Sequence, residues 1–147
     1  MSDDAFEYVF RVPLHDIDAA GIMFFAHLFR HAHDAYEAFM ATIGFPLDRV
    51  IRDAKWRLPL VHAEADYRSP LRHGDKATVR LRPAKVGERS FVLDYRFIDS
   101  AGEVCASART IHVQSGPDGS VSAPLTEDLR MALTARLVDH TTEESGR

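Results

Sequence analysis

Hydrophobic residues repeat with helical spacing in one part of the chain. Between Phe25 and Ile43 they follow the i, i+3, i+4, i+7 pattern that marks one buried face of a helix. The apolar positions are Phe25, Leu28, Phe29, Ala32, Ala35, Tyr36, Phe39, Met40 and Ile43. Polar side chains such as Arg30, His33, Asp34 and Glu37 cover the opposite face. Gly44 followed by Pro46 is typical of a helix end, so the pattern predicts one long helix over Phe25–Ile43.

Elsewhere hydrophobic and polar residues alternate with the period of two that is typical of half-buried strands. The predicted strands are Phe6–Val12, Trp56–Tyr67, Lys76–Arg82, Ser90–Ile98 and Glu103–Gln114. Pro13 ends the first strand because proline cannot donate to a sheet ladder. Shorter helices are predicted at Leu47–Arg52 and at Thr126–Val138, where Thr126 is the N-cap. This order of elements predicts an α+β fold in which a five-stranded antiparallel sheet wraps around a long central helix.

Length and composition narrow the class of protein. The chain has 147 residues, of which 46% are hydrophobic and 27% charged, as in globular domains. We expect a single domain over residues 1–147, with its core at about 6–114 and a C-terminal extension at 115–147. The net charge of −4 argues against a nucleic-acid binder. The acidic N-terminus and the absence of a long apolar run predict a cytoplasmic protein without a membrane partner.

Most catalytic motifs are missing from the sequence. It contains no G-x-S-x-G elbow, no phosphate-binding G-x-x-x-x-G-K-[ST] loop and no G-x-G-x-x-G. Cys105 is the single cysteine, and its position in a predicted strand indicates a small core residue. His27 and His31 lie four residues apart on the long helix, near Asp34, but we interpret them as polar residues of its outer face and expect no metal site.

A basic stretch lies around the third and fourth predicted strands. It consists of Arg80, Arg82, Lys85 and Arg89 in an otherwise acidic protein. Two interpretations are equally supported by the sequence: a solvated strand face, or a clamp for a few phosphate groups.

Two carboxylates stand in the loop that leads into the long helix. Asp16 and Asp18 precede Gly21, and the helix is predicted to start at Phe25. A carboxylate here has a structural interpretation, in which it caps the helix or counters its dipole. It also has a catalytic one, because backbone N–H groups at a helix start can hold an oxyanion while the carboxylate acts as base or nucleophile. The residues alone leave both interpretations open.

Three segments resemble the 4-hydroxybenzoyl-CoA thioesterase family of hotdog-fold proteins. They are Leu14–Phe25 with its Asp-x-Asp-x-x-Gly element, Tyr67-Arg68-Ser69-Pro70, and Gly74-Asp75. The resemblance covers roughly Phe6 to Val113. It implies a hotdog fold whose subunits join their sheets edge to edge as a homodimer or homotetramer, with active sites between subunits.

The resemblance also implies roles for individual residues. Asp18 matches the family's catalytic carboxylate, and the backbone N–H of Phe25 matches its oxyanion donor. Gly21 and Phe24 are expected to contact substrate. Arg89 and Ser90 match a basic-Ser-Phe segment that contacts CoA phosphates in relatives; the neighbouring position, where some relatives are basic, holds Glu88 here.

The implied activity is hydrolysis of an acyl-CoA thioester without a cofactor. The resemblance favours an aromatic acyl group, such as hydroxybenzoyl or dihydroxynaphthoyl, over a short or medium aliphatic chain. A non-catalytic acyl-CoA-binding hotdog protein is the main alternative. Asp18 discriminates between the two hypotheses, because a binder has no need of a carboxylate that faces helix-terminal donors. A hydratase or dehydratase using His62 and Glu64 is the third hypothesis.

Overall fold

Five antiparallel strands form one sheet. The computed structural model describes residues 5–118 and 122–137. Its strands are β1 (Phe6–Arg11), β2 (Leu60–Tyr67), β3 (Lys76–Val86), β4 (Ser90–Ile98) and β5 (Val104–Val113). They lie in the order β1-β3-β4-β5-β2, and every neighbouring pair is antiparallel. The α+β architecture predicted from the hydrophobic pattern is confirmed.

The long helix α1 (His27–Thr42) packs its apolar face on β1 and β3. Its buried residues include Leu28, Ala32, Ala35, Tyr36, Phe39 and Met40, as the spacing predicts. The start is wrong by two residues, because Phe25 and Ala26 form a turn ahead of the helix. Phe25 consequently keeps 61% of its surface exposed and does not join the core. Gly44 lies just beyond the other end with a φ of +99°, a conformation that favours glycine.

Two predicted strand boundaries differ from the observed ones by more than one residue. Strand β2 begins at Leu60 and not at Trp56, because proline occupies position 59 and only an isolated bridge joins Arg57 to Ser115. Strand β3 continues past Arg82 to Val86 and includes a proline at position 83. Within the described residues β3 pairs only with β4 after Leu81, and such one-sided pairing tolerates a proline.

Two short helices complete the fold. Helix α2 covers Leu47–Asp53, close to the prediction. Helix α3 covers Glu127–Thr134, and the Thr126 side chain caps it by accepting a hydrogen bond of 3.4 Å from the Leu129 N–H. The predicted end of this helix, residue 138, lies outside the described residues. Among the described helices none is both long enough and apolar enough to cross a membrane.

Strand β2 is amphipathic and lies at one end of the sheet. The residues of its inner face continue the buried rows of β5, and they are Leu60, Ala63, Ala65 and Tyr67. Charged or polar residues form its outer face, namely His62, Glu64 and Asp66. Helix α1 packs on β1 and β3, which lie toward the opposite edge of the sheet. The apolar face of β2 therefore stays largely exposed, at 46% for Leu60 and 48% for Tyr67.

Candidate active site

The loop between β1 and α1 folds back on itself as a small hairpin. A 3-10 turn at Leu14–Asp16 is followed by an antiparallel bridge between Ile17 and Met23. Inside this hairpin the N–H of Gly21 donates to the Asp18 carbonyl at 3.0 Å. Gly21 has a φ of +82°, in the left-handed region that favours glycine. The glycine of the Asp-x-Asp-x-x-Gly element therefore closes the turn that presents Asp18.

Asp16 is a buried structural residue. Its side chain is inaccessible to solvent and contacts two side chains of α1, as an ion pair with Arg30 and through a 2.5 Å hydrogen bond with Nε2 of His31. The expectation that His31 lies on the outer face of the helix is therefore wrong: it is 5% exposed and stacks on Phe10 with ring centroids 3.9 Å apart. Burial lowers the pKa of His31, and the hydrogen bond to Asp16 opposes that shift.

Asp18, by contrast, is half-buried and has one oxygen free. Its Oδ1 accepts hydrogen bonds from the N–H groups of Ala20 at 2.8 Å and of Ile22 at 3.4 Å. No group in residues 5–118 or 122–137 donates a hydrogen bond to Oδ2. The carboxylate is thus oriented through one oxygen while the other is available to an incoming molecule.

Asp18 lines a cleft with a volume of about 390 Å³. The wall on its own side is formed by Ile22, Met23, Phe25 and Leu28. The opposite wall consists of Tyr67, Arg68, Ser69, Pro70, Leu71, Cys105 and Ala106. The N–H groups of Phe25 and Ala26 at the start of α1 have no acceptor in the described part of the chain. The cleft therefore combines a free carboxylate oxygen with the unpaired donors of a helix start.

The other predicted site residues are not brought to this cleft within one chain. Gly21 and Phe24 are exposed and lie outside its lining, and the Phe24 ring packs against Phe25 with centroids 4.7 Å apart. Arg89 and Ser90 precede and begin β4, which pairs there with the last residues of β5. The cleft lies at the other end of β5, so about seven strand residues, or about 24 Å, separate Ser90 from it.

Tyr67 is a site residue that the sequence reasoning missed. It lines the cleft, and its hydroxyl donates a 2.7 Å hydrogen bond to the carbonyl oxygen of Phe25. Burial raises the pKa of this hydroxyl. The Tyr-x-x-Pro element that contains it was noted as a family resemblance, but nothing in the local pattern indicates a contact with a residue 42 positions earlier.

A second, largely apolar cleft of about 430 Å³ lies beside the beginning of β2. Its lining comes from α1, α2 and the segment between α2 and β2, and includes His33, Tyr36, Val50, Ile51, Trp56 and Leu58. The Tyr36 ring stacks on buried His112, with centroids 4.5 Å apart. Trp56 and Leu58 therefore line this second cleft and not the Asp18 cleft.

The remaining chemical candidates are not assembled into sites. His62 and Glu64 form a 2.8 Å pair on the exposed outer face of β2, away from both clefts, so the hydratase hypothesis has no supporting geometry. In the basic stretch, Arg80 pairs with Glu7 at 2.8 Å, and Arg89 donates to the Ser122 carbonyl at 3.2 Å. Within the described ranges no three His, Cys, Asp or Glu side chains are grouped for a metal ion.

Comparison with known proteins identifies the family. A model of the thioesterase-like superfamily matches residues 12–133, most of the chain. The chain belongs to the thioesterase-like superfamily. The segment matched includes the Asp18 loop, the long helix, all strands but β1, and the Tyr67 wall of the cleft.

Relatives of known name support this membership. The 1,4-dihydroxy-2-naphthoyl-CoA hydrolase of Synechococcus elongatus is 37% identical over 131 residues, which cover 88% of this chain and 94% of the relative. The enzyme of the same name from Rippkaea orientalis is 34% identical over 125 residues, or 84% and 91% of the two chains.

Solved structures of thioesterases superpose on the fold. A 1,4-dihydroxy-2-naphthoyl-CoA thioesterase from Synechocystis has a TM-score of 0.82 and 30% identity, covering 88% of this chain and 96% of its own. A gentisyl-coenzyme A thioesterase has a TM-score of 0.78 and 29% identity, covering 87% and 98%. The expected hotdog fold and the expected class of enzyme, a thioester hydrolase, are confirmed.

Proposed function

We propose that this protein hydrolyses the CoA thioester of a hydroxylated aromatic acid, with Asp18 as the catalytic carboxylate. The observation that carries the proposal is the free Oδ2 of Asp18 in the cleft that is also lined by Phe25, whose backbone N–H at the start of α1 has no acceptor among the described residues. A pure binding protein has no use for an oriented but unpaired carboxylate beside oxyanion donors. The single-chain geometry therefore favours catalysis over binding alone.

The proposed reaction needs only the thioester and water. The thioester carbonyl oxygen accepts hydrogen bonds from the helix-start N–H groups, and these bonds strengthen as the oxygen becomes negative. The Asp18 carboxylate either attacks the carbonyl carbon or takes a proton from the attacking water. The C–S bond then breaks, and the CoA sulfur leaves as thiolate and is protonated. When water attacks, this step gives the free acid; when Asp18 attacks, it gives an anhydride with Asp18, which water hydrolyses to the free acid and the carboxylate.

Isotope labelling separates the two roles of Asp18. The reaction is run with enzyme in excess and in water labelled with oxygen-18. If Asp18 attacks, it forms an anhydride with the acyl group. Hydrolysis of this anhydride at the Asp18 carboxyl carbon leaves an unlabelled protein oxygen in the first acid released. If water attacks the acyl carbon, either activated by Asp18 or at the anhydride, the first acid released carries oxygen-18, so an unlabelled first acid is the outcome that assigns attack to Asp18. Mass spectrometry of the acid and of the Asp18 peptide measures both.

We further propose that the working enzyme is a homodimer joined through β2, or a homotetramer made of two such dimers. The apolar inner face of this end strand is exposed in one chain, and a second copy paired along its edge would cover it. A two-fold axis reverses the strand direction, so the beginning of β2 in one subunit meets the end of β2 in the other. Arg89, Ser90 and the second cleft of one subunit would then approach the Asp18 cleft of its neighbour.

This arrangement supports an aromatic acyl group. The second cleft is mostly apolar, but it is also lined by His33 and by Tyr36, whose buried hydroxyl has a raised pKa and stays protonated. An apolar cavity with a few polar groups suits a ring that carries hydroxyl substituents. The names of the relatives point to the same class, because they act on dihydroxynaphthoyl-CoA and gentisyl-CoA. Membership of the 4-hydroxybenzoyl-CoA thioesterase family, expected from the sequence, is part of this proposal.

The test is release of free thiol from a panel of aromatic and aliphatic acyl-CoAs. We expect Asp18→Asn to lower kcat by about 10²–10⁴-fold or more while acyl-CoA still binds. Asp48→Asn is the matched control, because the Asp48 side chain is 73% exposed and, in the part of the chain that the structure describes, its partner is Arg52 on the surface of α2. Binding without turnover by the wild type would favour the acyl-CoA-binding alternative. Turnover that survives Asp18→Asn would refute the role of Asp18, and preference for aliphatic chains would refute the substrate class.

The dimer is tested by dilution. Sedimentation and specific activity are measured on the same series of protein concentrations. If sites form between subunits, activity falls with the dimer fraction. A monomer with full activity would contradict the β2 pairing.

A further inference from the structure

A hydrogen bond across the mouth of the Asp18 cleft joins its two walls. The Tyr67 hydroxyl at the end of β2 donates to the carbonyl oxygen of Phe25 at 2.7 Å. The two aromatic rings also meet edge to face, with centroids 6.5 Å apart. The contact therefore links the last residue of β2 to the turn that precedes α1.

This turn has few other attachments. Ahead of it, the Phe24 N–H donates to the Asp16 carbonyl at 2.8 Å, and behind it Leu28 is buried in the core. Between those points the backbone makes two local bonds, from His27 to the Phe24 carbonyl at 3.0 Å and from Leu28 to the Phe25 carbonyl at 3.3 Å. In the described part of the chain, Tyr67 provides the only side-chain hydrogen bond to the backbone of residues 24–27.

We propose that Tyr67 is a positioning residue for the thioester hydrolysis described above, an inference that rests on the proposed function. Its hydroxyl fixes the peptide group between Phe25 and Ala26 and thereby restrains the backbone of Phe25. The Phe25 N–H, which belongs to the preceding peptide group, then keeps its direction toward the oxyanion. Donors that are already oriented need no rearrangement during the reaction, whereas small misplacements lower the rate strongly. Tyr67 acts through the turn and does not have to touch the substrate.

The chemistry of the side chain suits this role. A phenol is a donor only while it is protonated, and burial shifts the pKa of Tyr67 further above neutrality. The hydroxyl therefore stays protonated, and able to donate this hydrogen bond, at neutral pH. With 48% of its surface exposed, Tyr67 contributes little to the core, so its removal separates positioning from folding.

The first test is steady-state kinetics of Tyr67→Phe, which removes only the hydroxyl. We expect kcat to fall about tenfold, with KM changed less than twofold, because the lost constraint acts on the transition state. Tyr8→Phe is the matched control: Tyr8 lies on β1, and its hydroxyl has no hydrogen-bond partner among the described residues. It should leave kcat and KM unchanged.

The second test does not depend on turnover. Amide hydrogen exchange at His27 and Leu28 reports the two local bonds of the turn. We expect faster exchange at both amides in Tyr67→Phe than in the wild type and Tyr8→Phe, with no change in the strands of the sheet.

The outcomes distinguish this inference from the proposed function. Unchanged kcat in Tyr67→Phe, with Asp18→Asn inactive, overturns the role of Tyr67 and leaves thioester hydrolysis intact. Slower turnover with unchanged exchange also overturns it, because the hydroxyl would then act on the substrate directly. A raised KM with unchanged kcat has the same consequence. A wild type that hydrolyses no thioester overturns the proposed function and the positioning role together.

Discussion

A buried histidine behind the second cleft should make the stability of this protein sensitive to mild acid. His112 is 1% exposed and lies between the rings of Tyr36 and Phe91, whose centroids are 4.5 and 5.1 Å away. Its Nε2 shares a 3.0 Å hydrogen bond with the hydroxyl of Thr110. In the described residues no hydrogen bond of normal geometry reaches Nδ1.

These surroundings disfavour the imidazolium form. Burial is the main cause and lowers the pKa of His112 to about 4 from its ordinary value of 6.5; the backbone of Leu58 opposes the shift, and the nearby His33 reinforces it. Between these two values the unfolded chain binds a proton that the native protein does not, so stability falls as pH falls. Between pH 7 and pH 5 this effect lowers the free energy of unfolding by about 2 kcal/mol. The slope is about 1.4 kcal/mol per pH unit once the histidine of the unfolded chain is protonated.

The perturbation that isolates this effect is His112→Phe, which keeps a ring between Tyr36 and Phe91 but cannot titrate. Urea unfolding is measured at pH 7 and pH 5 for both proteins. We expect the free energy of unfolding to fall by about 2 kcal/mol more in the wild type than in the variant when the pH is lowered from 7 to 5. All other titrating groups are common to both proteins and cancel in the comparison. Losses that agree within about 0.5 kcal/mol would refute the reasoning, as would an NMR titration of His112 near its ordinary pKa.

Two further predictions concern the Asp-x-Asp-x-x-Gly loop. Asp16→Asn should lower the free energy of unfolding by about 2–3 kcal/mol. This is somewhat less than the effect of breaking a fully buried ion pair, because the Arg30 side chain is 43% exposed and can be hydrated when its partner is lost. A loss no larger than that of the surface change Asp48→Asn, in the same urea titration, would contradict this. Gly21→Ala should lower the free energy of unfolding by about 1–2 kcal/mol. The φ of +82° is the only cause, since nothing lies within 4 Å of an added Cβ. Gly21→Asn should cost less because asparagine tolerates this conformation; equal stability of all three proteins would show that the turn is not strained.

Much of the fold is predictable because it is encoded in local spacing. The apolar positions of α1 follow from its period of 3.6 residues, and Gly44 marks its end. Strands β3 and β4 follow from their alternation between short turns, and β5 follows from its apolar residues after the turn at 99–102, although Cys105 and Ala106 are buried side by side. The errors fall at ends, such as the turn at Phe25 and the late start of β2, where proline and competing loop bonds override periodicity.

The candidate site is only partly predictable for the same reason. The short motif with two aspartates and a glycine indicates a site at these aspartates and the helix start, because all of them lie within one continuous segment. The pattern does not tell the two aspartates apart, although the structure buries Asp16 against α1 and leaves Asp18 open. Likewise, His31 has polar spacing on the helix, and only its packing against Phe10 and Asp16 buries it.

By itself, then, the amino-acid sequence determined the elements, the fold class and the segment that carries the carboxylate, since these depend on residues close together in the chain. Only the tertiary structure decided which residues share the cleft and which do not. The contact between Tyr67 and Phe25 and the separation of Ser90 from Asp18 both depend on sheet order and strand register. Those are set by long-range packing, in which the burial of many side chains at once outweighs any local preference.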